Sequence, residues 1–368
     1  MTNYSFRILK AQPARTAFTI GGVALCAVLM LFLLSVYRGV ADGSVEYIRH
    51  NRTDLWVLQE NTTNILRGSS ILSTGHGNLL REISGIRSVS PLVFFLSSIR
   101  KGERGSTVYL TGYDPATGIG APPLITQGRN IQNDGEIILD RSFAAKSGFH
   151  TGDIVTLKGD SLRVVGISAQ TNMFVIQYAF VTLRQAQSLI GYPGLVSCYL
   201  VQVQEPGTVA SMKERIREEI PGLEVYDHDE FLKNNIREMQ SGFLPLLYVI
   251  AAIGGIVLTT ILTLILSISI LERRRDFAVM KTLGSTHRFL GGLVYGQGLQ
   301  ISLTGCGAAL AFFFPMIRLI EAISPEVSTK TSLEQIAGVF LTVSVMSGVS
   351  SLLAARKLAR IYTLEAFS

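Results

Sequence analysis

Five histidines (His50, His76, His150, His228 and His287) and three cysteines (Cys26, Cys198 and Cys306) are the residues of this 368-residue chain able to hold a transition metal or to act as base and nucleophile. Their spacing argues against both roles. No two histidines stand four apart and no Cys-x-x-Cys accompanies them, so neither usual zinc spacing is present. The run Asp227, His228, Asp229, Glu230 has cation-binding residue types. With Asp227 followed three residues later by Glu230, it also reads as a helix start, where acids complement the positive end of the dipole. The stretch STGHG at 73–77 is expected to be a flexible loop. No Gly-x-x-x-x-Gly-Lys-Ser/Thr occurs, which excludes P-loop binding of ATP, and no Gly-x-Ser-x-Gly elbow offers a hydrolase nucleophile. The expectation is a non-catalytic chain with no cofactor or metal of its own.

The elements that carry these residues explain the poverty of chemistry. The composition is 48% hydrophobic and only 16% charged, against roughly 25% charged in soluble domains. Four long apolar segments account for it, at 16–37, 243–271, 289–317 and 333–355. Crossing about 30 Å of hydrocarbon takes about 20 helical residues, and each segment supplies them. The first exceeds the ~7–15 residue core of a secretory signal and ends at Arg38, so a retained anchor is expected. Arg38, Arg318 and Glu321 fall at segment ends, where long side chains reach the interface. The only acid in the four segments is Glu334, at the end of the last, so an ion-coupled carrier would lack its buried relay. Gly292 with Gly296, and the cluster Gly305, Gly307, Ala308 and Ala309, permit close helix contact.

Charge sets the expected orientation. Segments 1–15, 271–288 and 356–368 together carry 11 Lys/Arg against 3 acids, whereas 38–242 carries 20 against 21. The basic excess of the chain, +6 overall, therefore sits beside the spans, as the positive-inside rule expects of cytoplasmic segments, and is no nucleic-acid footprint. Residues 1–15, 272–288 and the tail 356–368 are placed in the cytoplasm, and 38–242 and the short loop 318–332 outside. Between the first two spans, alternating strand patterns, glycine turns and amphipathic helices describe an extracytoplasmic α+β domain. Its lone Cys198 leaves it without an internal disulfide. One loop, TNMFVIQY from Thr171, has an apolar run at Met173, Phe174 and Val175; such a run is either buried core or an adaptable contact for a lipophilic substrate or adaptor.

The stretch LERRRDFAVMKTLGST, from Leu271, stands apart. Five charges in six positions lead into a short amphipathic helix in which Phe277, Met280 and Leu283 lie at near-helical spacing. It resembles the coupling-helix motif of MacB/FtsX-type ABC transporter permeases, with Glu272, Arg273, Asp276, Phe277, Met280, Lys281, Leu283 and Gly284 at the matching places. The tail AARKLARIYTLEAF resembles that family's closing basic helix, and LKAQPARTAFTIGGVAL its entry into the first span. Ala278 stands where many members have glycine.

The resemblance implies an α-helical membrane protein with four transmembrane helices, one before and three after a large external domain. The implied place is the bacterial cytoplasmic (inner) membrane, multi-pass, with both termini cytoplasmic. It further implies a permease subunit that couples separate ABC ATPase subunits, which bind ATP and magnesium, to external movement and substrate extrusion. A second permease copy completes the assembly, as homodimer or heterodimer. Relatives resembling DevC, LolC or HrtB leave open whether a periplasmic adaptor and outer-membrane channel take part. An FtsX-like regulator of an extracytoplasmic enzyme, such as a cell-wall hydrolase, is the alternative.

Overall fold

The structure is a computed structural model describing residues 13–51, 53–65, 68, 70–101, 104–173, 176–272, 274–323 and 331–358. The chain divides into two compact units, one essentially Gly39–Gly242 and the other the long helices before and after it. Among the described residues four helices are long and apolar enough to cross a membrane: Thr16–Gly43, Pro245–Glu272, Arg288–Ile320 and Leu333–Arg356. One precedes the sheet-bearing unit in the chain and three follow it.

In chain order, α1 (Pro13–Gly43) and the single turn α2 (Glu46–His50) lead to β1 (Leu55–Gln59), β2 (Leu72–Ser73) and α3 (Thr74–Glu82). A long hairpin of β3 (Ile86–Lys101) and β4 (Arg104–Tyr113) follows, then β5 (Leu124–Gly128), β6 (Glu136–Asp140) and α4 (Arg141–Ser147). Next come β7 (Ile154–Leu157), β8 (Asp160–Ala169), β9 (Gln177–Thr182), α5 (Leu183–Ile190), β10 (Leu195–Val196) and β11 (Cys198–Val203). The unit closes with α6 (Val209–Glu219) and β12 (Leu223–Asp227). The remaining helices are α7 (His228–Glu272), α8 (Arg274–Thr282), α9 (His287–Ile323) and α10 (Leu333–Leu358).

Among the described residues the strands form one ten-stranded sheet in the order β12-β1-β11-β3-β4-β9-β6-β8-β5, with β7 paired to β3 and β8, and a small β2/β10 sheet. Pairings are antiparallel except β4 with β9 and β6 with β8. The central strands are buried on both faces, which is why their sequences read as continuous apolar runs instead of alternating ones. On β1, Leu55 and Val57 enter an aliphatic core while Trp56 and Leu58 enter an aromatic one. On β9, Ala179 and Val181 face the first and Tyr178 and Phe180 the second. The aromatic side is built from stacked and edge contacts such as Trp56 on Phe231 (4.5 Å between centroids) and Tyr109 against Tyr178 (5.5 Å).

The stretch at 73–77, expected as a loop, is instead the start of helix α3. Ser73 caps it, its hydroxyl accepting from the Gly75 N–H at 3.2 Å while its own N–H donates to His76 Nδ1 at 3.3 Å. Gly77 does not loosen this helix. A methyl group there would lie 2.8 Å from the Tyr199 ring, so glycine lets the helix sit on β11. The acidic run at 227–230 is the start of α7, with Asp227 Oδ1 accepting from the Glu230 N–H at 2.8 Å.

The helical unit has its own core, with Val23, Ala27 and Leu31 of α1, Leu262 and Leu266 of α7, Cys306, Ala309 and Phe313 of α9, and Val339 and Val343 of α10 in one apolar cluster. Gly305 marks the close approach of α9 to α1, since a methyl group there would lie 2.6 Å from Val23 Cγ1. Polar contacts join helices as well. Ser350 donates to the Thr259 carbonyl at 3.0 Å, Gln335 to the Leu34 carbonyl at 3.1 Å, and Arg38 to the Ser332 hydroxyl.

Candidate functional site

The amphipathic stretch between the second and third apolar helices folds as α8, and its two sides have different fates. Phe277 is only 5% exposed and Ala278 is fully enclosed, both within the apolar cluster that holds Ile270, Leu290 and Val294. Met280 is half-buried against that cluster. Val279 and Leu283, in contrast, are 45% and 81% exposed. Glu272, Asp276 and Gly284 are exposed beside them, and Lys281 is half-buried. Arg273 lies outside the described residues. Phe277, Met280 and Leu283, grouped by near-helical spacing in the sequence, therefore do not share one exposed face: Phe277 anchors the helix to its own bundle, and Leu283 points away from it.

Local backbone chemistry accounts for the split. Helix α8 ends at Thr282, and Gly284 adopts φ 91°, the left-handed region that glycine enters without steric cost. Ser285 N–H then donates to the Met280 carbonyl at 3.0 Å and Gly284 N–H to the Lys281 carbonyl at 3.1 Å. These two bonds are a Schellman closure, which uses carbonyls the helix end leaves unpaired. Thr286 restarts the chain into α9, its carbonyl and hydroxyl accepting from Phe289 N–H at 3.0 and 3.3 Å. The Leu-Gly of the motif is thus a stop signal that turns Leu283 outward. At Ala278 the methyl group is buried and tolerated.

In the sheet-bearing unit, the apolar loop after β8 is tied down at its base. The Asp140 carboxylate caps α4, accepting from Ser142 N–H at 2.7 Å, and also accepts from the Thr171 hydroxyl at 2.6 Å. Burial pushes the Asp140 carboxyl above its ordinary value, against those hydrogen bonds. Beyond it, Asn172 N–H donates to Glu46 at 3.3 Å and Met173 N–H to Gln177 Oε1 at 3.2 Å. Met173 packs against the aromatic core; Phe174 and Val175 lie outside the described residues. Cys198 is fully buried and its thiol is pushed well up by desolvation, so it is not a reactive group. Among the described residues no group of three His, Cys, Asp or Glu side chains converges as a metal site.

Sequence reasoning missed a cavity of about 460 Å³ walled by Leu58, Phe94, Tyr109 and Val196, with Ile71 and Tyr192 at its mouth. No motif announces it, because β1, β3, β4, β10 and the segments after β1 and α5 each contribute one or a few apolar residues.

Together, four apolar helices, a sheet-bearing unit between the first and second, and a capped amphipathic helix between the second and third define a membrane subunit of the ABC permease class. The MacB-like periplasmic core domain profile matches residues 16–219 and the FtsX-like permease C-terminal profile matches 248–363, and the chain belongs to this MacB/FtsX family of permeases. It is accordingly a multi-pass membrane protein of a class that works with a partner ATPase. An uncharacterised ABC transporter permease of Mycobacterium tuberculosis H37Rv is 25% identical over 303 residues, 78% of this chain and 81% of that protein. The lipoprotein-releasing system transmembrane protein LolE of Haemophilus influenzae is 22% identical over 251 residues, 62% of this chain and 59% of that one. The periplasmic region of MacB from Actinobacillus actinomycetemcomitans aligns with a TM-score of 0.40 at 18% identity, covering 50% of this chain and 92% of that one.

Proposed function

We propose that this chain is the permease subunit of an ABC-type exporter, transmitting work from a separate ATPase to its extracytoplasmic domain so that a substrate is extruded. The observation that supports this most is the two-sided packing of α8. Its exposed side, Val279 and Leu283 flanked by charges, offers a partner a small apolar contact. Its other side, Phe277 and Ala278, is locked into the helical bundle. A push on the exposed side is passed to the spans because close-packed interiors yield little. In this reading ATP and magnesium are held by the ATPase partners, two permease copies form the assembly, and α8 and both termini face the cytoplasm.

The test uses the purified full chain reconstituted with its ATPase. Expected are no ATP turnover by the chain alone, turnover that depends on both proteins, and loss of that dependence in Leu283→Asp. ATP turnover by the rigorously purified chain alone, or turnover by the ATPase that the chain does not alter, overturns the proposal. Mass spectrometry of molecules that co-purify with the assembly then separates export from regulation: a bound small molecule or lipid supports export, and a stoichiometric cell-wall hydrolase in its place overturns it.

A further inference from the structure

Three serines of the helical unit are left without a partner by the chain. Ser302 of α9 and Ser347 and Ser351 of α10 are 1%, 1% and 2% exposed, and among the described residues none offers their hydroxyls a hydrogen bond. All three lie within apolar helices long enough to span a membrane, where hydrocarbon supplies no substitute and an unpaired polar group is costly. Ser350, in the same stretch of α10, shows the ordinary solution. Its hydroxyl donation is shared between the Met346 carbonyl one turn back, at 2.8 Å, and the Thr259 carbonyl of α7, at 3.0 Å.

Ser347 and Ser351 are turned elsewhere. A methyl group added to Gly298 of α9 would meet Ser351 Oγ and lie 3.0 Å from Ser347 Oγ, so both hydroxyls converge on α9 where it has no side chain of its own. Ser302 stands four residues beyond Gly298 and adds a third hydroxyl to the same face of α9. The glycine lets the two helices approach closely, yet close approach does not pair these groups. With both oxygens within 3.0 Å of one point, Ser347 Oγ and Ser351 Oγ are no more than about 6 Å apart, and they do not bond each other. A water molecule held at about 2.8 Å from each of two oxygens bridges about 4.5 Å, which falls inside that limit.

We infer that Ser302, Ser347 and Ser351 form a binding site for water inside the helical unit, joining α9 to α10. Each hydroxyl both donates and accepts, and a buried water makes about three hydrogen bonds to polar groups that would otherwise go unpaired. Water also leaves the seam between the two helices free to readjust, because its hydrogen bonds are exchanged without baring a hydroxyl to hydrocarbon. The site stands apart from the export reading, since it requires only that the helical unit be folded.

The sequence supplies the means of testing this with water itself as the probe. Met346–Ser347 is the only Met-Ser pair of the chain and Met30–Leu31 the only Met-Leu pair, so carbon-13 at methionine carbonyls, combined with labelled serine or labelled leucine, isolates one residue in each sample. Leu31 is 1% exposed in the apolar core of the same unit and serves as the dry reference. The experiment is solid-state NMR of the full chain in lipid bilayers, with proton polarisation started on water alone and its arrival followed at each labelled side chain. Build-up at Ser347 is expected to be about tenfold faster than at Leu31, as for a group touching bound water. Combined Ser302→Ala and Ser351→Ala leaves one hydroxyl, fewer than the two to four partners a buried water needs, and is expected to slow Ser347 to the rate of Leu31. Alanine is smaller than serine and the best helix former, and a thermal melt reports the fold of the variant. Should that variant fail to fold, the wild-type comparison still decides. Build-up at Ser347 as slow as at Leu31 in the wild type, or a wild-type rate in the folded double variant, overturns the inference.

Discussion

Phe277 and Leu283 lie six residues apart around the end of one short helix and have opposite environments, the first enclosed in the bundle and the second exposed. That opposition separates two effects of substitution. Leu283→Asp is expected to weaken ATPase association by about one factor of ten or more, since burial of such a side chain contributes ~1.5–3 kcal/mol and 1.4 kcal/mol is tenfold. The fold should be unaffected. Met280→Asp, in contrast, is expected to destabilise the chain itself, because Met280 packs against its own core. Arg274→Ala, on the exposed side, should change association by less than about 1 kcal/mol. A pull-down of the ATPase at matched expression and salt, paired with a thermal melt of each variant, checks all three.

Gly284 closes α8 at positive φ. Replacement by Ala is expected to cost about 1–2 kcal/mol, and replacement by Asn less, since Asn enters the left-handed region more easily. Thermal stability of the full chain is the measurement. Equal melting of Gly284→Ala and wild type would show that the Schellman closure does not form.

The close approach of α9 to α1 predicts a contrast between two glycines of one helix. At Gly305 an added side chain meets Val23, whereas at Gly307 nothing lies within 4 Å. Gly305→Val is expected to destabilise by about 1–3 kcal/mol through overpacking. Gly307→Val should have a much smaller effect, and yields of folded protein with melting temperatures decide between them.

Acid should weaken the sheet-bearing unit through Glu136. Its hydrogen bonds from Arg129, at 2.5 and 2.9 Å, with those from the Gln132 and Asn133 N–H groups, hold its pKa down, from 4.5 to about 2. A lowered carboxyl contributes stability above its unfolded value and loses it as pH falls from about 4.5 toward 2. Urea melts followed through Trp56 at pH 5 and pH 3 should show this loss in the wild type and a shallower one in Glu136→Gln.

The charge distribution predicts which side each loop faces. A cysteine at Ser161, exposed in the sheet-bearing unit, should react with an impermeant thiol reagent in intact cells, and one at Ser285 should not. Cys198 is buried and gives no background; the reverse labelling pattern refutes the orientation.

The apolar spans and the family were legible because both depend on local sequence. Twenty consecutive apolar residues suffice to specify a spanning helix, whatever its neighbours. Ordered motifs at both ends of the chain and at α8 carried the kinship that the family profiles show. Which face of α8 looks outward was not legible. Helical spacing grouped Phe277, Met280 and Leu283, but the helix stops at Thr282, and the turn at Gly284 takes Leu283 out of that periodicity. Only packing of α8 on its own bundle decided that Phe277 faces in. The two glycines of residues 73–77 suggested a loop, yet Tyr199, distant in sequence, supplies the surface on which Gly77 lets a helix rest. The cavity walled by Leu58, Phe94, Tyr109 and Val196 is the extreme case. Its wall exists only because antiparallel and parallel pairings bring residues up to about 140 positions apart side by side, and such pairing is a property of the whole sheet that no local pattern records.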